Sequence, residues 1–539
     1  MAREQKAMNI GKLPGEFGGP RRVLISALAS AGLALALLAP AGAAAPASAN
    51  AGIGWQMVSS DAEVDKAFAL AKSTGKPVFL YWGAIWCPPC NQVKATLFSR
   101  ADFVERSKAF VPVYVDGDKP GAQKVASRFK VQGYPTMIVF KPDGTEITRL
   151  PGEVDPERYL LTLSAGLNAQ VPVKELIRQA LAKQALSPEQ WRLLAFYSWD
   201  TDEEQASKSA DRPQQLADLA AVAPADLPQV RDRLAFKALA MRAGEKPGAD
   251  VAGLEASRKF VDRVLAEPRT ARELSDILVA QAEPVVKYLA PEGDGRRALA
   301  SRWDAALAGM LATSTMSKVD QLDAIDARVS LWKLMEASEQ VSAPRRAEVL
   351  KEVARVVAAT TDKYERQAVV PSAAHLLTQA GMIAESDELL KFELKQAVAP
   401  YYHMLGLASN AKKRNDTKAA LSWYEQAWKK SEGPATRIQW GTGYANQVME
   451  LAPADLTRVE SAATGVISQL DAKSETFYER NQRSLRRMAT RLVKWQGSDP
   501  ARTQVVSKVQ QRLDQTCKRL PAGDTGRANC EGVFARATS

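Results

Sequence analysis

The stretch Lys76-Pro77-Val78-Phe79-Leu80-Tyr81-Trp82-Gly83-Ala84-Ile85-Trp86-Cys87-Pro88-Pro89-Cys90 decides how this chain is read. Val78 to Trp82 is an apolar run of strand length. The cysteine pair follows at once, and Asn91 to Phe98 then reads as a helix. Two cysteines two residues apart form a tight, reversible disulfide, or hold a metal with help from other ligands. Their place at a strand-to-helix handover matters, because the helix dipole and free backbone N–H groups stabilise a thiolate there. Pro88 and Pro89 fit a first helical turn, where a missing N–H costs least. They also withhold two donors from the thiolate, so its stabilisation is expected to be moderate.

Outward from this stretch, helix and strand signals alternate. Ser60 or Asp61 caps a helix running to about Ser73, with Val64, Phe68 and Ala71 on one face, and Gly75-Lys76-Pro77 stops it. Asp102 to Lys108 adds helical turns, Val111 to Val115 a strand, and Gln123 to Phe129 a helix. Thr136 to Phe140 and Glu146 to Leu150 read as strands about a Pro142-Asp143-Gly144 turn, and Asp155 to about Leu167 closes with a helix. The order α-β-α-β-α-β-β-α predicts an α/β sandwich around a four-stranded sheet over residues 50–168.

Together these residues resemble the thioredoxin superfamily. The Trp86–Cys90 turn is similar to its redox centre, Gly133-Tyr134-Pro135-Thr136 to its cis-proline loop, Pro142-Asp143-Gly144 to its hairpin, and Gly152 to the turn before its last helix. Within the superfamily the chain resembles periplasmic thioredoxin-like proteins and the C-terminal domain of the membrane thiol:disulfide interchange protein. The resemblance implies Cys87 as exposed nucleophile, Cys90 as the more buried resolving thiol, and Trp86 packed beside them. It also implies a cis Pro135, with Tyr134, Pro135 and Thr136 offering backbone to a substrate. The chemistry implied is thiolate attack, a mixed disulfide, and release by the second thiol. One departure stands out. Thioredoxins usually carry a buried acid six positions before the first cysteine, and here that position is Tyr81. Asp102 and Glu105 are acidic and near in the chain, but read as a solvated helix face. Metal binding is disfavoured, since a zinc site wants four ligands and the two histidines, His375 and His403, lie far away. No metal and no cofactor is expected.

The first 49 residues read as a cleavable export signal: Arg21-Arg22, an apolar run from Val23 to Leu38, and Ala47-Ser48-Ala49 as a cleavage site. Export from a bacterium gives a periplasmic protein, where disulfides persist. The net charge is +11, and removing residues 1–49, with five Lys/Arg and two Asp/Glu, leaves +8. No dense basic tract appears, so nucleic acid is excluded as a partner.

From Glu175 onward strand signals vanish. Apolar residues recur at helical spacing, as in Leu322, Ile325, Val329, Trp332 and Met335, with breaks near 223–224, 244–248, 291–295 and 342–344. Residues 169–400 read as an all-α region and 401–539 as a tetratricopeptide-like one. Leu407 and Ala408, then Ala420, Tyr424 and Ala427, resemble one such repeat, which needs flanking helices to bury its face. Trp423, Tyr424, Trp428 and Trp440 read as core, His403 as a packed or surface residue, and Arg483 to Arg491 as a solvated basic face. Cys517 and Cys530 enclose Pro521, Gly523 and Gly526, and are expected to form a structural disulfide stapling the C-terminus.

The fold class expected is therefore an α/β thioredoxin fold followed by a larger all-α helical-repeat domain. The expected function is a periplasmic thiol:disulfide oxidoreductase that reduces or exchanges disulfides of exported proteins. A membrane electron donor of the thiol:disulfide interchange type is a candidate partner. Reduction is favoured over oxidation, because Pro88-Pro89 offers no histidine to stabilise the reduced thiolate strongly. The alternative is a helical scaffold that uses the thioredoxin-like domain for docking or redox sensing.

Overall fold

Ser60 opens the first helix. Its hydroxyl accepts from the Glu63 N–H while the Glu63 carboxylate accepts from the Ser60 N–H, so two otherwise orphaned donors are satisfied reciprocally. The computed structural model describes residues 52–152, 156–244, 251–312 and 316–535; the export-signal reading of residues 1–49 lies outside them.

The α/β part runs β1 (Gln56–Val58), α1 (Asp61–Thr74), β2 (Val78–Gly83), α2 (Pro88–Val93), α3 (Ala101–Ser107), β3 (Val111–Asp116), α4 (Ala122–Arg128), β4 (Thr136–Phe140), β5 (Glu146–Leu150) and α5 (Pro156–Asn168). The sheet has five strands in the order β1-β3-β2-β4-β5, not the four expected. The added strand, β1, is three residues long and pairs in parallel with β3, too short to show a period in sequence. The helix expected over Asn91 to Phe98 is α2, starting at Pro88, followed by a π turn from Lys94 to Phe98.

Strand alternation divides the core. Val78, Leu80, Trp82, Val113 and Ile138 face α1 and α4. Phe79, Tyr81, Met137 and Val139 face the other way, in a core they share with Phe98, Phe103, Tyr159 and the C-terminal helices. The edge strand β5 is tied down as well. Arg149, buried, donates to the carbonyls of Phe129 at 2.6 Å and Lys130 at 3.1 Å, and its own carbonyl accepts from Ser198 at 3.0 Å. These contacts occupy an edge that otherwise invites strand addition.

The rest is helical. α6 (Val173–Leu181), α7 (Pro188–Ala195), α8 (Arg212–Val222) and α9 (Pro228–Arg242) follow the sheet domain. Next come α10 (Val251–Ala266), α11 (Pro268–Glu273), α12 (Ser275–Leu289), α13 (Asp294–Ala312), α14 (Lys318–Glu336) and α15 (Ala343–Ala358). Then α16 (Lys363–Gln379), α17 (Ile383–Glu393), α18 (Pro400–Lys413), α19 (Thr417–Lys430) and α20 (Pro434–Leu451). The chain ends with α21 (Leu456–Ser468), α22 (Glu479–Gln496), α23 (Pro500–Lys518) and α24 (Thr525–Ala535).

The repeat-like segment is α18 and α19, with Asn415 at φ 58° in the turn between them, a conformation asparagine tolerates. Leu407, Ala408, Ala420 and Ala427 are buried in it. Gly406 lets α17 close in, since a Cβ there would stand 2.8 Å from Leu390 Cδ1. Among the described residues, no helix is long and apolar enough to cross a membrane.

Cys517 on α23 and Cys530 on α24 are bonded, both fully buried, with Cα atoms 5.6 Å apart across a separation of 13 residues. A loop of that size constrains the unfolded chain by about 3 kcal/mol. Replacing both cysteines with alanine is expected to lower the urea midpoint of the C-terminal helices accordingly. Followed by tryptophan fluorescence, an unchanged midpoint would show that the bond adds nothing.

Candidate active site

β2 ends at Gly83, the chain turns through Ala84–Trp86, and Cys87 caps the N-terminus of α2 with Pro88 and Pro89 in its first turn. Cys87 and Cys90 are joined as a disulfide, and the Cys90 N–H points at Cys87 Sγ at 3.1 Å. This is the helix-start geometry that stabilises a sulfur anion once the bond opens. Asn91 locks the turn by donating to the Ile85 carbonyl at 2.7 Å and the Cys87 carbonyl at 3.0 Å.

The Tyr134–Pro135 peptide is cis. Gly152 makes room for it, since a Cβ there would stand 2.9 Å from Pro135 Cγ. The Tyr134 ring stacks on Trp82 at 5.4 Å and meets Trp86 edge-on at 5.6 Å. Thr136 pairs with Trp82 in the sheet, and its hydroxyl donates to the Gly133 carbonyl. The structure thus brings Trp86, Cys87, Cys90, Tyr134, Pro135 and Thr136 to one end of the sheet. Cys517 and Cys530 stay with the C-terminal helices.

The expected exposure of Cys87 is corrected. Cys87 is 2% exposed, Cys90 0% and Trp86 6%. The cause is the helical array, which lies over this end of the sheet. Trp86 stacks on Tyr402 of α18 at 5.9 Å, meets Trp440 of α20 edge-on at 4.8 Å, and carries the Arg480 guanidinium of α22 at 4.8 Å. Arg480 also sits 4.6 Å over the Tyr134 ring. Gln367 of α16 donates to the Trp86 carbonyl at 3.4 Å.

Asp118, just past β3, is the polar node of this contact. Its carboxylate accepts from Trp86 Nε1 at 2.8 Å and from the Thr436 hydroxyl of α20. Burial pushes its carboxyl up to about 6, and the Asp116 charge adds to the rise; Thr436, Arg480 and Trp86 oppose it.

The position of the missing acid is filled by Tyr81, fully buried, whose hydroxyl has no hydrogen-bond partner among the described residues. It stacks on Tyr114 at 5.0 Å, and Lys94 lies over that second ring. Burial lowers the Lys94 pKa and raises that of nearby Asp116, each partly offset by the other's charge. Asp102 and Glu105 pair with Arg100 and Lys108 at the surface. His403 is packed inside α18, its pKa lowered to about 4 by burial. The residues missed in the sequence were Gln367, Tyr402, Thr436, Trp440 and Arg480, and Asp118 which they cover. Trp440 reads as core in the sequence; its partner across the fold carries no local signal.

A family model described as a thioredoxin-like domain matches residues 64–166. A thiol:disulfide interchange protein of Pseudomonas fluorescens is 34% identical over 107 residues, which are 19% of this chain and 18% of that protein. A thioredoxin of Mycolicibacterium smegmatis is 33% identical over 94 residues, 17% of this chain and 81% of the relative. The solution structure of a Thermus thermophilus thioredoxin is 28% identical, covers 21% of this chain and 85% of that one, and has a TM-score of 0.19. The chain spans about a fifth of the length of the interchange proteins it matches.

Protonation of Asp118 relieves the cost of burying its charge. A carboxyl moved from 3.8 to about 6 therefore loses stability as pH rises from about 4 to about 6, by roughly 3 kcal/mol in all. Asp118→Asn is expected to flatten this part of the profile, measured by urea unfolding between pH 4 and 7; parallel profiles for both proteins would refute it. Through the domain that carries this site, the chain belongs to the thioredoxin superfamily.

Proposed function

We propose that the protein is a thiol:disulfide oxidoreductase that reduces or exchanges disulfides in exported proteins, in the periplasm. The observation that carries the reading is the Cys87–Cys90 disulfide at the start of α2, with the cis-Pro135 loop beside it through the Trp86–Tyr134 contact.

In the reducing direction, the Cys87 thiolate attacks one sulfur of a client disulfide. A Cys87–client bond forms, and the client's other sulfur leaves as a thiolate and takes a proton. Cys90, losing its proton, then attacks Cys87 Sγ; the Cys87–Cys90 bond forms and the client's second sulfur leaves. Two electrons pass to the client. A dithiol donor returns them by the same exchange in reverse, and a membrane protein of the thiol:disulfide interchange type fits that role. The Tyr134–Thr136 backbone is the surface offered to the client. Cys517–Cys530, fully buried, is assigned a structural role.

A second reading is favoured by the closure of the site: a helical scaffold in which the thioredoxin-like domain docks or senses redox state. Insulin reduction separates the two. Wild type is expected to turn over and Cys87→Ser to lose all of it, while Cys90→Ser accumulates mixed disulfides with clients. Absence of turnover in both wild type and Cys87→Ser favours the scaffold. A potential near −120 mV, typical of strong oxidants, overturns the reducing direction.

A further inference from the structure

The face of a redox centre that a client must touch is already occupied here, by this chain itself. Four helices converge on Trp86 and its partner Asp118, next to the disulfide: α16 through Gln367, α18 through Tyr402, α20 through Thr436 and Trp440, and α22 through Arg480. We infer that the helical array is a built-in cap over the redox centre, so that exchange proceeds only from an opened form in which these helices have moved off Trp86. This rests on the oxidoreductase reading for its consequence, but the cap itself does not.

Three observations support it. First, in-line attack needs access to sulfur, and neither sulfur-bearing residue has it: Cys87 is 2% exposed and Cys90 is fully buried. Second, although the two parts share an apolar core, the contact at Trp86 itself is made of rings, one guanidinium and a few hydrogen bonds. Arg480 bridges the two redox-site rings, Trp86 and Tyr134, at 4.8 and 4.6 Å, and its own N–H donates to Gln123 Oε1 at 3.0 Å. Third, closure leaves a polar atom uncompensated. Trp440 Nε1 is buried without a partner among the described residues, and burial beneath α20 raises the Asp118 carboxyl. An unmade hydrogen bond of this kind costs stability, and water would supply it on opening.

If only a fraction of molecules is open, the apparent affinity for a client falls by that fraction, and any change that favours opening restores it. Weakening the cap should therefore speed exchange, the reverse of what loss of a binding residue does.

The test uses the full chain carrying Cys90→Ser, which leaves Cys87 as the one free thiol beside the Cys517–Cys530 bond. Cys87 alkylation by iodoacetamide is timed by mass spectrometry, with Trp440→Ala or Arg480→Ala added, and far-UV circular dichroism checks that each protein is folded. The expectation is a rise of roughly tenfold or more in either variant, approached by the parent in low, non-denaturing urea. Equal rates in the parent and in the folded variants overturn the cap. The two substitutions lie on separate helices, so one remains decisive if the other unfolds. Insulin reduction by Trp440→Ala with both cysteines intact then separates the readings. Faster turnover supports cap and oxidoreductase together; faster alkylation with no turnover keeps the cap and removes the enzyme.

Discussion

The indole of Trp86 is the point on which both parts of the molecule close. Its N–H is held by Asp118 at 2.8 Å on the sheet side, and its faces and edge are covered by Tyr402, Trp440 and Arg480 from the helical side. A ring of this size contributes most when both faces are out of water. A thioredoxin-like domain alone supplies only one side of that enclosure. The helical array supplies the other, and in doing so buries the cysteines that follow Trp86 in the chain.

Burying Trp86 stabilises the union of the two parts, but it brings Asp118 inside with it. The carboxylate is answered by Trp86 Nε1 and the Thr436 hydroxyl, and Gly433, at φ 82°, lets α20 approach so closely that a Cβ there would lie 2.7 Å from Asp118 Cβ. Even so, its pKa is pushed up to about 6. The closed arrangement is thus a balance of apolar gain against electrostatic cost, not a contact in which every term favours closure. Such a balance is what a movable element needs, because small changes in conditions or partners then shift its population.

The sheet domain was legible because its signals are local. β4 and β5 coincide with the strands read from Thr136 to Phe140 and Glu146 to Leu150, and the helix start at the cysteines follows from Pro88 and Pro89. β1 escaped because three residues pairing at an edge carry no period. The π turn at Lys94–Phe98 escaped because its residues fit an α-helix equally well. The cap over the redox centre was illegible for a different reason. Its hydrogen bonds join residues 281, 318 and 357 positions apart, and Tyr402, Trp440 and Arg480 each look like ordinary core or surface residues of a helix. A cysteine motif announces chemistry; it does not say whether solvent reaches it.

Native-state hydrogen exchange on the full chain tests the central claim most directly, because it reports the opening of each segment. If α20 and α22 close over the redox centre as a movable unit, amides in residues 84–93 exchange with an opening free energy below that of β2 and β4, and Trp440→Ala lowers it further. Exchange of 84–93 only at the free energy of β2 and β4, unchanged by Trp440→Ala, would mean that the site opens by global unfolding alone, and would contradict the account.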